Sequence, residues 1–142
     1  MTNTPCGAAD LRLLRARHEV VNTLVRYLRA VDDHDLDGVL AELQHATVSF
    51  GGPVRRGVED LTEAYRSAFA VGGRTWHLLH EVEVAWAGDG SRVVGRAAYQ
   101  RWSLESEPPA VTAIGQYYAE FDTTGEQFRL VDLTVDRDWQ RG

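Results

Sequence analysis

The hydrophobic pattern of this chain changes its period once, near Thr75, and that change constrains the fold more than any other feature. Before it, apolar residues recur every three or four positions; after it, they alternate with polar ones. The second half predicts four long strands, over residues 75–87, 91–104, 110–122 and 127–138. Because no helical stretch separates them, hairpin connections suffice and we expect an antiparallel sheet. Helices first and a sheet second predict an α+β fold.

Three helices are predicted before the change. The first covers residues 8–30, and Asp35 is placed to cap a second, short helix. A short strand over 47–50 precedes a third helix over 58–70. The apolar stripe predicted for the first helix consists of Leu11, Leu14, His18, Val21, Val25 and Leu28.

Length and composition narrow the class of protein. The chain has 142 residues, which predicts a single domain over 8–142 after a disordered or extended tail over 1–7. A net charge of −6 argues against nucleic-acid and anionic-membrane partners, which need clustered cations. The single Cys6 excludes an intramolecular disulfide. Residues 1–10 lack the pattern of a signal peptide, and no stretch approaches the ~20 apolar residues of a membrane span. We expect a soluble, cytoplasmic protein.

Three side chains suited to proton transfer stand at the ends of predicted elements. Tyr27 and Asp32 are five residues apart at the end of the first helix, and His77 opens the first long strand. Imidazole is the usual general base, and a carboxylate can orient it. Burial in an apolar cavity is expected to raise the pKa of Asp32. His80 has the opposite strand parity to His77, so the pair is a weak metal signal and no zinc site is predicted.

Five segments of the chain resemble the SnoaL-like branch of the nuclear transport factor 2-like superfamily. This branch includes scytalone dehydratase, bile acid dehydratase and polyketide cyclases, and the resemblance covers nearly the whole chain after the tail. The segments are Tyr27-x4-Asp32-x2-Asp35-x-Asp37, Gly57-Val58-Glu59-Asp60-Leu61, Thr75-Trp76-His77, Gly115-Gln116-Tyr117-Tyr118 and Asp136-Arg137-Asp138-Trp139.

The resemblance implies three helices wrapped against a strongly curved sheet, with a deep apolar pocket and no required metal or organic cofactor. It implies catalytic roles for Tyr27, Asp32 and His77, and a further role for an arginine near the C-terminus, either Arg137 or Arg141. The second histidine of scytalone dehydratase has no counterpart in the segment Arg96-Ala97-Ala98-Tyr99-Gln100-Arg101-Trp102. The superfamily also contains accessory subunits and binding proteins, so fold alone does not decide function.

Aromatic residues are expected to form the core and the wall of the pocket. Those interpreted as substrate-binding are Phe50, Tyr65, Tyr99, Trp102 and Tyr118. Asp33, Asp35 and Asp37 are interpreted as a solvated turn, Arg55 and Arg56 as solvent-exposed, and His18 as a packed helix residue.

The sequence supports a leading hypothesis and two alternatives. The first is a cofactor-independent dehydratase, isomerase or cyclase of secondary metabolism, acting on an apolar polycyclic or polyketide-like carbonyl compound. The second is a non-catalytic ligand-binding or accessory subunit. The third, epoxide opening, would need Asp32 with Asp132 or Asp136 and an arginine such as Arg96. A large sheet face predicts a homodimer.

Overall fold

The structure, a computed structural model, describes residues 7–142, in which three helices precede a sheet of six strands. Of the predicted tail over 1–7, only Gly7 lies among the described residues; Cys6 does not. No helix in this part of the chain has the length and apolar character that crossing a membrane requires. The elements are α1 (Ala8–Asp32), α2 (Leu36–Leu43), β1 (Thr47–Ser49), β2 (Arg55–Arg56), α3 (Val58–Val71), β3 (Thr75–Ala87), β4 (Arg92–Ser103), β5 (Ala110–Asp122) and β6 (Arg129–Gln140).

The six strands form one sheet in the order β2-β1-β6-β5-β4-β3. The four long strands pair antiparallel with their sequence neighbours, as the uninterrupted alternating pattern predicts. β1 pairs parallel with β6, so the sheet is mixed rather than wholly antiparallel. The fold class is α+β, as predicted. β2 was not predicted, since a two-residue strand carries no periodic signal.

The buried face of α1 differs from the predicted stripe. Leu11, Leu14 and His18 are exposed, and His18 instead shares a hydrogen bond with Asn22 at 2.9 Å. Apolar residues follow two overlapping stripes on this helix, and hydropathy alone does not determine which of them meets the sheet. The buried residues of α1 are Ala16, Val20, Thr23, Leu24, Tyr27, Leu28 and Ala30.

The helices leave space beside the inner face of the sheet. α1 packs across β3 and part of β4, whereas α3 packs mainly against α2 and β2. The inner face carries the alternate buried residues of β4 and β5, among them Tyr99 and Tyr117. A cavity therefore opens between α3 and the long strands, with the end of α1 at one side.

Close packing of α1 against β4 depends on Gly95. A Cβ atom at this position would lie 2.5 Å from Cγ1 of the fully buried Val20. We predict that Gly95→Ala lowers the free energy of unfolding by about 1–3 kcal/mol, the usual cost of overpacking a core. Urea denaturation is the measurement. Adding Val20→Ala should recover part of the loss, and Gly52→Ala, where a Cβ would meet open space, is the control.

Candidate functional site

The space between α3 and the sheet is a cavity of about 540 Å³. This lies within the range of roughly 300–1,000 Å³ that is typical of small-molecule sites. The wall combines aromatic rings with a few polar groups. The residues that matter for its chemistry are Tyr27, Tyr65, His77, Tyr99, Tyr117, Arg101 and Arg137.

His77 lines this cavity, and Asp32, which is not among the lining residues, forms a hydrogen bond with it. His77 Nδ1 lies 2.6 Å from Asp32 Oδ1, and the His77 backbone N–H donates to Oδ2 at 2.8 Å. The Thr75 hydroxyl also donates to Oδ1, at 2.8 Å. The side chains of His77 and Asp32 are 8% and 16% exposed. With Nδ1 held by the carboxylate, Nε2 is the ring nitrogen left to act on a ligand.

The local fold explains how these residues meet. α1 ends at Asp32, and His34 adopts a positive φ of 54°, which reverses the chain into α2. Thr75 and His77 have the same strand parity, so both face the helix end while Trp76 and Leu78 point outwards. The structure thus brings together the two residues that the sequence placed at the ends of separate elements.

The pKa of Asp32 is lowered, contrary to the sequence-based expectation. Burial alone raises it, but hydrogen bonds from the His77 side chain and backbone, the charge of His77 and the Thr75 hydroxyl together outweigh burial. Asp32 is therefore a carboxylate at neutral pH. It serves as an acceptor that fixes the imidazole rather than as a group that carries a proton.

Buried tyrosines line the cavity beside this pair. The hydroxyls of Tyr27 and Tyr65 lie 2.7 Å apart, and either can donate. Burial is the main cause that raises the pKa of Tyr27, Tyr65 and Tyr117. These phenols stay protonated at neutral pH, so they can donate hydrogen bonds to a ligand oxygen without ionising.

Tyr117 is a cavity residue that the sequence analysis missed in favour of its neighbour. Its hydroxyl has no hydrogen-bond partner among the described residues. In this part of the chain every fully buried polar side-chain atom does have a partner, so the Tyr117 hydroxyl oxygen is not fully buried. The Tyr117 oxygen is therefore open to the cavity. Tyr118, predicted to bind substrate, lies on the outer face of the sheet and is 37% exposed. The Tyr-Tyr pair alone does not show which member faces inwards.

The other predicted substrate-binding residues divide in the same way. Phe50, Tyr65 and Tyr99 line the cavity. Trp102 does not, because the regular alternation of β4 places it on the outer face, opposite the exposed Trp76, where its indole N–H donates to Gln100. The prediction for Trp102 and Tyr118 is thus wrong for this cavity.

Further polar residues reach the cavity from loops and strand ends. His34, for which the sequence analysis predicted no role, lines it with its ring stacked on Phe69 at a centroid distance of 4.8 Å. Arg55 also lines it, paired with Asp60 at 2.9 Å, rather than being simply exposed. Of the two C-terminal arginines, Arg137 lines the cavity and Arg141 does not.

The epoxide-opening arrangement is absent from the cavity. Asp132, Asp136 and Arg96 are not among the residues that line it, and Arg96 is bonded to Gln116 on the outer face. In residues 7–142, no three histidine, cysteine or acidic side chains come together as metal ligands would.

Comparisons with known proteins identify the domain family and the fold. Residues 12–134 match the sequence profile of the SnoaL-like domain. No curated protein sequence matches the chain significantly.

Solved structures share the fold. One is an aspartate-to-asparagine variant of Rv3472, a protein of unknown function from Mycobacterium tuberculosis. It shares 20% sequence identity with this chain at a TM-score of 0.80, and the match covers 95% of this chain and 78% of that one. A protein of Novosphingobium aromaticivorans provisionally assigned as a scytalone dehydratase has 12% identity and a TM-score of 0.75 over 94% and 90%. The β subunit of a provisionally assigned aromatic-ring-hydroxylating dioxygenase from the same organism has 17% identity and a TM-score of 0.74 over 90% and 92%.

The lowered pKa of Asp32 predicts a pH-dependent contribution to stability. A carboxylate with a depressed pKa in the folded state stabilises that state above its unfolded pKa of 3.8, and the contribution is lost as the pH falls through the folded value. Asp32→Asn should therefore lower the melting temperature at neutral pH, and its deficit relative to wild type should shrink below about pH 4. Thermal unfolding followed by circular dichroism measures this. A deficit that stays constant down to strongly acidic pH would contradict the assignment.

Proposed function

The chain belongs to the SnoaL-like domain family, and from that premise we propose that it is a cofactor-independent lyase or isomerase. Its substrate would be an apolar polycyclic or polyketide-like carbonyl compound, and its reaction a dehydration or a ring closure through an enolate. The observation that carries the proposal is the Asp32–His77 pair, joined at 2.6 Å, whose histidine lines the same cavity as Tyr27, Tyr99 and Tyr117.

In a dehydration, each residue of the site has a separate role. His77 Nε2 removes a proton from the carbon α to the carbonyl, and the electron pair moves onto the carbonyl oxygen. Asp32 holds the Nδ1–H and stabilises the imidazolium that forms. Tyr27 or Tyr117 donates to the enolate oxygen as its charge develops. The enolate then collapses, the β-hydroxyl leaves, and it takes the proton from His77 to become water.

A ring closure uses the same first step. Once the enolate exists, an internal carbonyl can replace the leaving hydroxyl as its reaction partner, and a carbon–carbon bond forms instead of a double bond. The proton on His77 then passes to the new alkoxide. Both reactions therefore need the same pair and the same hydrogen-bond donors.

A non-catalytic role is the second candidate, and a structural neighbour favours it. The similar fold of a dioxygenase β subunit means that this architecture also serves in multi-subunit assemblies. A binding protein has no need for a histidine held in one orientation by a carboxylate. Turnover, rather than affinity, therefore separates the two candidates.

We predict that His77→Ala abolishes most of the activity while the fold survives. With a panel of bicyclic and tricyclic β-hydroxy ketones, absorbance of the new conjugated double bond measures dehydration, and deuterium incorporation measures proton removal. Loss of the general base should reduce turnover by about 10²- to 10⁴-fold. Asp32→Asn should have a comparable or smaller effect, and the double variant should not be additive, because both residues serve one proton transfer.

His80→Ala is the matched control, since this strand histidine is exposed on the opposite face. It should retain the activity of the wild type. Near-normal turnover by folded His77→Ala would exclude the mechanism. Ligand binding by the wild type with neither turnover nor deuterium incorporation would favour the non-catalytic role.

We propose that a second copy of the chain covers the outer face of the sheet. Its exposed apolar side chains are Trp76, Leu78, Val94, Ile114, Tyr118 and Trp139. Contiguous apolar patches of this kind mark interfaces. The same face carries Arg96 and Glu120, so a two-fold related copy can place opposite charges against each other.

Leu78→Glu is therefore predicted to shift the protein from dimer to monomer. Leu78 is 43% exposed on the outer face, and a buried, unpaired carboxylate would be costly there. Light scattering coupled to size exclusion gives the molar mass. Leu14→Glu, at a leucine 59% exposed on α1, is the control and should remain dimeric. A monomeric wild type would refute the proposal.

A further inference from the structure

Two arginines face the cavity without an acidic partner. Arg101 and Arg137 both line it, and none of the ion pairs among residues 7–142 includes either of them. By contrast, the third arginine of the cavity wall, Arg55, is paired with Asp60. The chain has 21 acidic and 15 basic side chains, so it does not lack carboxylates that could have neutralised them.

Arg101 is held in place by a β-bulge. Arg101 pairs with Ala113 but Trp102 pairs with Val111, which leaves Thr112 as the extra residue of β5. The Thr112 hydroxyl accepts a hydrogen bond from Arg101 Nε at 3.0 Å and donates to the Arg101 carbonyl at 3.2 Å. The terminal guanidinium nitrogens of Arg101 remain available for a ligand.

Arg137 also lies beside a β-bulge, on β6. It pairs with Gly115, whose neighbour Ile114 pairs with Trp139, so Asp138 is the extra residue of a second bulge. The exposed Arg137 side chain donates a hydrogen bond to Gln140 at 3.1 Å, and it also forms a side-chain hydrogen bond with Tyr99. Asp138 influences the same region but forms no ion pair with Arg137.

Gly115 lets Tyr99 lie between the two arginines. Tyr99, Gly115 and Arg137 form one row across β4, β5 and β6. A Cβ on Gly115 would stand 2.9 Å from Cε1 of Tyr99 and 3.0 Å from Cα of Arg137. Burial raises the pKa of Tyr99 overall, although the charge of Arg137, a hydrogen bond with the Arg137 side chain and the charge of Arg101 each lower it. The ring of Tyr99 also lies 6.2 Å from that of His77, so this charged end adjoins the proposed base.

We propose that the substrate carries a carboxylate, which binds to Arg101 and Arg137 beside Tyr99 while its carbonyl faces His77. This rests on the proposed function for the orientation of the substrate, but not for the binding of the anion. Two planar guanidinium groups suit a carboxylate, which can accept paired hydrogen bonds from each. The acidic residue of the cavity wall, Glu63, lies on α3, whereas the two arginines lie on β4 and β6.

Affinity for matched probes tests this without any need for turnover. The probes are aromatic carboxylates with one, two and four fused rings, each compared with its neutral carboxamide by calorimetry at neutral pH. We expect the best carboxylate to bind at least about tenfold more tightly than its carboxamide, because charge-assisted hydrogen bonds are the strong ones. Arg101→Gln and Arg137→Gln should each reduce this preference, and the double variant should abolish it.

Arg96→Gln is the matched control, since Arg96 lies on the same strand as Arg101 but on the outer face. It should preserve the preference, and thermal unfolding verifies that each variant is folded. His77→Ala should also preserve it, so failure of the catalytic proposal and failure of this one are distinguishable. If no carboxylate in the panel binds more tightly than its carboxamide, or if the double variant keeps the preference, the proposal is wrong.

Discussion

The Asp32 carboxylate joins the end of α1 to the beginning of β3, and the site depends on that junction. It accepts hydrogen bonds from the Thr75 hydroxyl, the His77 backbone and the His77 ring, each between 2.6 and 2.8 Å. One anion thus fixes a helix end, a strand start and the orientation of an imidazole. Since Tyr27 lies on the same helix, its position relative to His77 follows from the same contacts.

The number of donors around Asp32 determines its charge. Burial alone would raise the pKa of this carboxyl and favour a neutral acid, but the hydrogen bonds reverse the sign. An anionic Asp32 favours a proton on His77 Nδ1 and leaves Nε2 as the basic nitrogen. The sequence predicted a buried carboxyl, but it does not show how many hydrogen-bond donors surround that carboxyl in the folded protein. For that reason the predicted direction was wrong.

Strand period and element order were predictable here, whereas strand phase was not. The change of period near Thr75 predicts the four long strands to within about two residues. Of the three residues predicted for the site, Tyr27 and His77 line the cavity, and Asp32 is hydrogen-bonded to His77. Within β4 the alternation is regular, so Trp102 faces outwards and Arg101 inwards. The bulges at Thr112 and Asp138 shift the alternation of β5 and β6 instead. Such shifts depend on pairing between distant strands, as does the parallel contact of β1 with β6.

The cavity has two chemically different sides, an Asp–His pair and two arginines. A run of aromatic rings connects them, from Tyr27 through Tyr117 to Tyr99 and then His77, with centroid distances of 6.3, 4.6 and 6.2 Å. Burial raises the pKa of the three tyrosines, so they remain neutral donors between an Asp–His pair and two arginines. An enolate formed beside His77 would therefore meet protonated phenols and positive charge, both of which stabilise a developing anion.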